Sequence, residues 1–146
     1  MIVQCIDNRG AALPPEYHDP AGGLRADTLF DVESDREYVV YAVTMRASRI
    51  AYYLCGDLHP HYPVAYPAPL FRIARHELSR HWEIAYTPNH LDHQLIIAFR
   101  DWIADDYFYD RLTDLQAREV AIFRQMRDLI DEEQHESRSG SPAEST

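Results

Sequence analysis

The chain has 146 residues, a formal net charge of -10, and 46% hydrophobic against 26% charged residues. That is ordinary usage for one globular domain able to bury a core, and it argues against global disorder. The acidity disfavours a nucleic-acid partner, and no apolar run approaches the ~20 residues of a bilayer span, so neither nucleic acid nor membrane is expected.

The N-terminus "MIVQCIDNRG" lacks the basic and apolar regions of a secretory signal, so a cytoplasmic location is expected. Cys5 and Cys55 lie in apolar runs without ligand-spaced neighbours and read as two buried thiols. "MIVQCID" reads as a first strand. "NRGAALPPEYHDPAGGLRAD" carries Pro14, Pro15, Pro20 and three glycines and reads as a long irregular loop. "LFDVE", "EYVVYAVTM", "RIAYYLCGD", "PLFRIARH" and "HWEIAYT" follow, each rich in β-branched and aromatic residues and bounded by turn-formers. "MRASR" fits a hairpin connection. The prolines of "LHPHYPVAYPAP" point to a sheet edge or a loop.

After Pro88 the apolar period changes. Asn89 is positioned to cap a helix over about 90–110, in which Leu91, Leu95, Phe99, Trp102 and Ile103 recur at spacings of three and four. Thr113 and Gln116 fit a capping box for a second helix over 113–135, with its stripe through Leu115, Ile122, Met126, Leu129 and Ile130. The pairs Asp114 with Arg118, Arg124 with Asp128, and Arg127 with Asp131 would support its wet face. "ESRSGSPAEST" reads as disordered. The expected architecture is one α+β domain over 1–135, β-rich over 1–86 and helical over 89–135, with a tail over 136–146. Its strands fit a small antiparallel barrel or curled sheet, burying Val40, Phe71, Trp82, Trp102, Phe123 and Met126.

"HELSRHWEIAYTPNHLDHQ" holds four histidines. His76 and His81 are five apart, which on a helix separates them by about 140° and on a strand places them on opposite faces. They do not form the i, i+4 pair of a zinc protease. His90 with His93, and His59 with His61, have spacings that share a face, so a composite metal-assisted hydrolase site stands as an alternative. No Gly-rich phosphate loop or nucleophile elbow is present. Glu77 or Asp57 as a general acid rests on residue type alone. No catalytic residue, metal or cofactor is expected.

Two surface features remain. "YYLCGDLHPHYPVAYP" offers Tyr52, Tyr53, Tyr62 and Tyr66 either as packing at the core edge or as a recognition patch, since tyrosine joins a large contact area to a polar tip. "RDWIADDYFYDRLTD" sets Asp101, Asp105, Asp106, Asp110 and Asp114 against Arg100 and Arg111, an acidic turn for a basic partner.

"MIVQCIDNRG", "YVVYAV", "YYLCGD" and "YPAPLF" together resemble small bacterial and phage domains with an SH3-like barrel that begin with a Cys-Ile-Asp-Asn strand. The likeness spans roughly residues 1–75 and departs at the proline-rich loop and at "LFDVESDRE", where those domains carry a Gly-Lys turn. It implies the fold and no catalytic residue. In format the chain is similar to immunity proteins of bacterial toxin systems. The function expected is therefore a non-enzymatic acidic binding protein, an immunity protein for a basic toxin domain. A phage-derived adaptor that binds peptides on the tyrosine patch is a further alternative. The partner face expected is Asp101, Asp105, Asp106 and Asp110, with Tyr107 and Tyr109 as anchors.

Overall fold

The computed structural model describes residues 1–139. Strand β1 (Ile2–Cys5) buries Ile2, Val3 and Cys5, so it can only be an inner strand. It lies between β2 (Glu37–Val39) and β6 (Phe71–Arg75), antiparallel to both. A second antiparallel sheet has the order β5 (Val64–Pro67), β4 (Arg49–Leu54), β3 (Ala42–Arg46), β8 (Leu95–Phe99), β7 (Trp82–Tyr86). The hairpin expected at "MRASR" joins β3 to β4, with Ala47 at φ 55° in its turn.

The chain passes between the sheets three times, at two tight corners and through the loop from β6 to β7. Between β2 and β3, the Val40 N–H donates to Met1 O in the first sheet and the Tyr41 N–H donates to Tyr53 O in the second. Between β5 and β6, a 3-10 turn at Ala68–Leu70 makes the same passage. Strands that switch sheets in this way fix a packed corner. Val3, Cys5, Val40, Leu54, Leu70 and Phe71 fill the core between the two sheets. The opposite face of the larger sheet packs on three helices, α1 (Arg100–Ile103), α2 (Phe108–Thr113) and α3 (Ala117–Ser139). That second core contains Ile96, Phe99, Trp102, Phe108, Leu112, Phe123 and Ile130. Each large apolar side chain buried there contributes about 1.5–3 kcal/mol. The expected α+β class holds, with two antiparallel sheets and a C-terminal helix.

Several expectations are corrected. Among the described residues the two sheets do not close into a barrel. The helix expected over 90–110 is instead a loop, then β8, then the short α1 and α2. Leu91, Leu95 and Phe99 keep helical spacing, but "LIIAF" is a continuous apolar run with adjacent β-branched residues. Such a run suits a central strand between β3 and β7, with Ile96 and Ala98 buried on one face and Leu95 and Ile97 half-buried on the other. "LFDVE" makes a single bridge, Leu29 to Arg9, and is otherwise loop. The capping box fails because the Thr113 hydroxyl donates back to Tyr109 O and Asp110 O, closing α2. Leu115 then breaks the chain at φ 58°, and α3 starts at Ala117. On α3, Arg118 pairs with Glu119 at 2.8 Å rather than with Asp114, and Arg127 donates to Pro60 O.

Val40, Phe71, Trp102 and Phe123 are buried as expected, whereas Trp82 and Met126 are half-buried. Both cysteines are free, Cys5 buried and Cys55 half-buried. The proline-rich segment does form an edge strand, β5. Of the tail expected over 136–146, residues 136–139 continue α3 and the rest lies outside the described residues. No described helix is long and apolar enough to cross a membrane.

Candidate functional site

The loop between β7 and β8 folds over one face of the larger sheet and meets the α1–α2 turn. Its ends are closed by the Thr87 N–H donating to Gln94 O and the Gln94 N–H donating to Met45 O. Inside it the His90 and His93 rings stack, centroids 4.1 Å apart and 8° from parallel. The Asp92 N–H donates to His90 Nδ1, and His90 Nε2 lies 3.9 Å from Asp106 Oδ1. Burial, reinforced by the His90 charge, pushes the His93 imidazole below its usual range.

The opposite wall is set by Asp105. Its Oδ1 accepts from the Tyr107 N–H at 3.0 Å, and its Oδ2 accepts from Arg111 at 2.6 Å. The Tyr107 backbone bond, then Arg111, hold this carboxyl below the usual range. Asp105 is thereby a brace for the turn, while Asp106 and Asp110 stand exposed beside it. The floor is aromatic. Trp102 and Tyr109 stack at 5.4 Å, and Tyr53 stands edge-on to both, at 5.1 and 5.3 Å. The Tyr109 hydroxyl donates to Pro63 O, and burial pushes the Tyr53 hydroxyl up to about 12.

Together these walls enclose a cleft of about 430 Å³. A second hollow of about 550 Å³ continues it past Thr87, His90, Asp92, Asp106 and Asp110 to a rim that includes Leu91 and Tyr107. Those rim side chains are 81% and 64% exposed. Four carboxylates border the cleft: Asp92, Asp105, Asp106 and Asp110. Only Asp105 has an arginine in ion-pair range among the described residues, which leaves three carboxylates without one. Carboxylates over aromatic faces give a negative potential suited to a cationic group.

The structure sorts the expected partner residues. Asp105, Asp106, Asp110, Tyr109 and Tyr53 line the cleft, and Tyr107 stands on its rim. Tyr109 is a half-buried floor residue, not a projecting anchor. Asp101 is exposed but lies outside the cleft, and it does not share a helix face with Asp105 because α1 ends at Ile103. The tyrosine patch does not exist as a surface. Tyr52 and Tyr66 are adjacent across β4 and β5 and are buried in the first core, whereas Tyr53 points to the other face. Tyr62 is half-buried, with its ring 5.4 Å from that of His59.

Sequence spacing missed Asp92, Thr87 and Trp102 as members of the site. The His90–His93 spacing of three did signal a shared face, although in a loop and not a helix turn. Elsewhere, His76 lies beside Glu77, and His81 Nε2 is buried without a hydrogen-bond partner among the described residues. Among the described residues no three His, Cys, Asp or Glu side chains are grouped to hold a metal ion. Compared with family models, curated proteins and solved structures, the chain matches none.

Proposed function

We propose that the protein is a non-enzymatic binding protein whose acidic, aromatic-floored cleft captures a basic side chain of a protein partner. In its most concrete form it is an immunity protein that neutralises a basic toxin domain. The observation that carries this reading is the juxtaposition of Asp92, Asp106 and Asp110 above Tyr53, Trp102 and Tyr109. Carboxylates steer a basic partner and fix its orientation, while aromatic and apolar rim residues such as Tyr107 and Leu91 supply contact area. The net charge of -10 extends the steering beyond the cleft.

The SH3-like resemblance over residues 1–75 belongs to the same proposal. It is supported by the short antiparallel strands that pass between sheets at Val40–Tyr41 and Ala68–Leu70.

The test is co-purification with a basic domain encoded by the adjacent gene, followed by association kinetics over a salt series. The expected outcome is a stoichiometric complex whose association slows as ionic strength rises. Failure to form the complex, or binding insensitive to salt, overturns the reading.

A further inference from the structure

The five-stranded sheet has two edges, and they are protected unequally. The β5 edge carries Pro67 and follows Pro63, residues that cannot donate to a ladder. The β7 edge, Trp82–Tyr86, has no proline, and its single charge, Glu83, is engaged by Arg100 at 2.9 Å. Among the described residues no strand pairs with the outer side of β7.

Side chains alternate across β7. Ala85 belongs to the face that floors the acidic cleft. Ile84 and Tyr86 belong to the other face, where they are 65% and 71% exposed. There they continue an apolar strip through their cross-strand neighbours Ile97 and Leu95. One edge therefore separates an acidic hollow from an apolar surface.

We propose that the partner docks by adding an extended segment to the outer edge of β7 as a sixth strand. In that segment cationic side chains occupy the cleft face and apolar side chains the opposite face. This rests on the cleft reading above. A residue of the added strand opposite Ala85 stands on the acidic side, its Cβ about 4.5–5.5 Å away. Residues opposite Ile84 and Tyr86 extend the apolar strip. Main-chain bonds to the edge supply affinity and the alternation supplies specificity. A second copy of this chain fits worse, because its own β7 would bring Glu83 to the acidic face and a further charge of -10.

The test uses two nine-residue peptides of equal composition, one alternating arginine with valine and threonine, the other with its arginines blocked at one end. Binding is followed by fluorescence anisotropy, and amide exchange is followed along β7. The alternating peptide is expected to bind about tenfold tighter and to slow exchange in β7. Asp106→Asn with Asp110→Asn weakens both peptides. Ile84→Thr with Tyr86→Thr, at unchanged melting temperature, erases only the preference for alternation. Equal binding of both peptides with unchanged β7 exchange overturns strand addition and leaves the cleft reading standing. A preference that survives the aspartate changes without loss overturns the cationic face and the cleft reading with it. Binding of neither peptide overturns both. A dimer in sedimentation, with β7 protected before any peptide is added, makes a second copy the occupant and also overturns the proposal.

Discussion

The Tyr41 hydroxyl donates to Asp131 Oδ1 at 2.6 Å, tying the corner between the two sheets to the long C-terminal helix. Tyr41 is buried, and its ring meets Phe123 edge-on at 5.5 Å. Burial pushes the Asp131 carboxyl above its usual range, and the tyrosine bond opposes that shift. Tyr41→Phe removes the donor but keeps the ring, so the buried corner loses its bond to the exposed Asp131 carboxylate. A loss of about 1–3 kcal/mol is expected in urea denaturation. Asp131→Asn keeps an acceptor and should lose less.

Gly56 occupies a position closed to any side chain. The Tyr66 hydroxyl donates to Asp31 Oδ1, the Leu58 N–H donates to Asp31 Oδ2, and a Cβ at Gly56 would overlap the Tyr66 hydroxyl and the Asp31 carboxylate. Gly56→Ala should destabilise by about 1–3 kcal/mol. Because the clash is with the hydroxyl itself, Tyr66→Phe should absorb part of the effect. Thermal melts of the two single variants and the double variant check this: the double loss is expected to fall below the sum.

These two sites show what the sequence carried and what it did not. Alternation and β-branching placed β1, β4, β6 and β7, but ran β2 and β3 together as one strand, and the prolines left β5 as an edge or a loop. The failure fell at Leu95–Phe99, where an i, i+4 coincidence imitated a helix while the adjacent Ile96 and Ile97 made a central strand. Because its half-buried face is apolar as well as its buried one, this strand lacks the period-two polar alternation that identifies a strand. The same error hid the site. Read as helix, residues 90–105 put the acids on an outer face; folded as loop, strand and turn, they bring Asp92 into one cleft with Asp106 and Asp110. The Tyr41–Asp131 bond is a tertiary contact across 90 residues, and no local pattern signals it.

The stacked histidines make the β7–β8 loop sensitive to acid. His93 is held below its ordinary value of 6.5, chiefly by burial and then by His90, with Asp92 and Asp106 opposing. Its folded pKa lies below the unfolded one, so the unfolded chain binds the proton first. The contribution of His93 is thus complete above about pH 6.5 and is lost as pH falls below it. Stability should drop between pH 7.5 and 5.5, with faster amide exchange in residues 87–94. His93→Gln should flatten that dependence, which denaturation at each pH measures.

The acidic turn separates brace from binding surface. Asp105 accepts from the Tyr107 N–H and from Arg111, and so holds the start of α2 against the cleft. Asp105→Asn keeps one acceptor but loses the charge facing Arg111, and it should lower the melting temperature. Asp106 and Asp110 are exposed and make no ion pair with an arginine among the described residues. Asp106→Asn with Asp110→Asn should leave the melting temperature unchanged. If the cleft is the partner site, the pair should slow association with a basic partner at low salt, and the difference from wild type should shrink as salt rises. Thermal melts and stopped-flow association read the two effects independently. Loss of stability in the double variant, or unchanged association, would assign these carboxylates to the fold or to solvent and not to recognition.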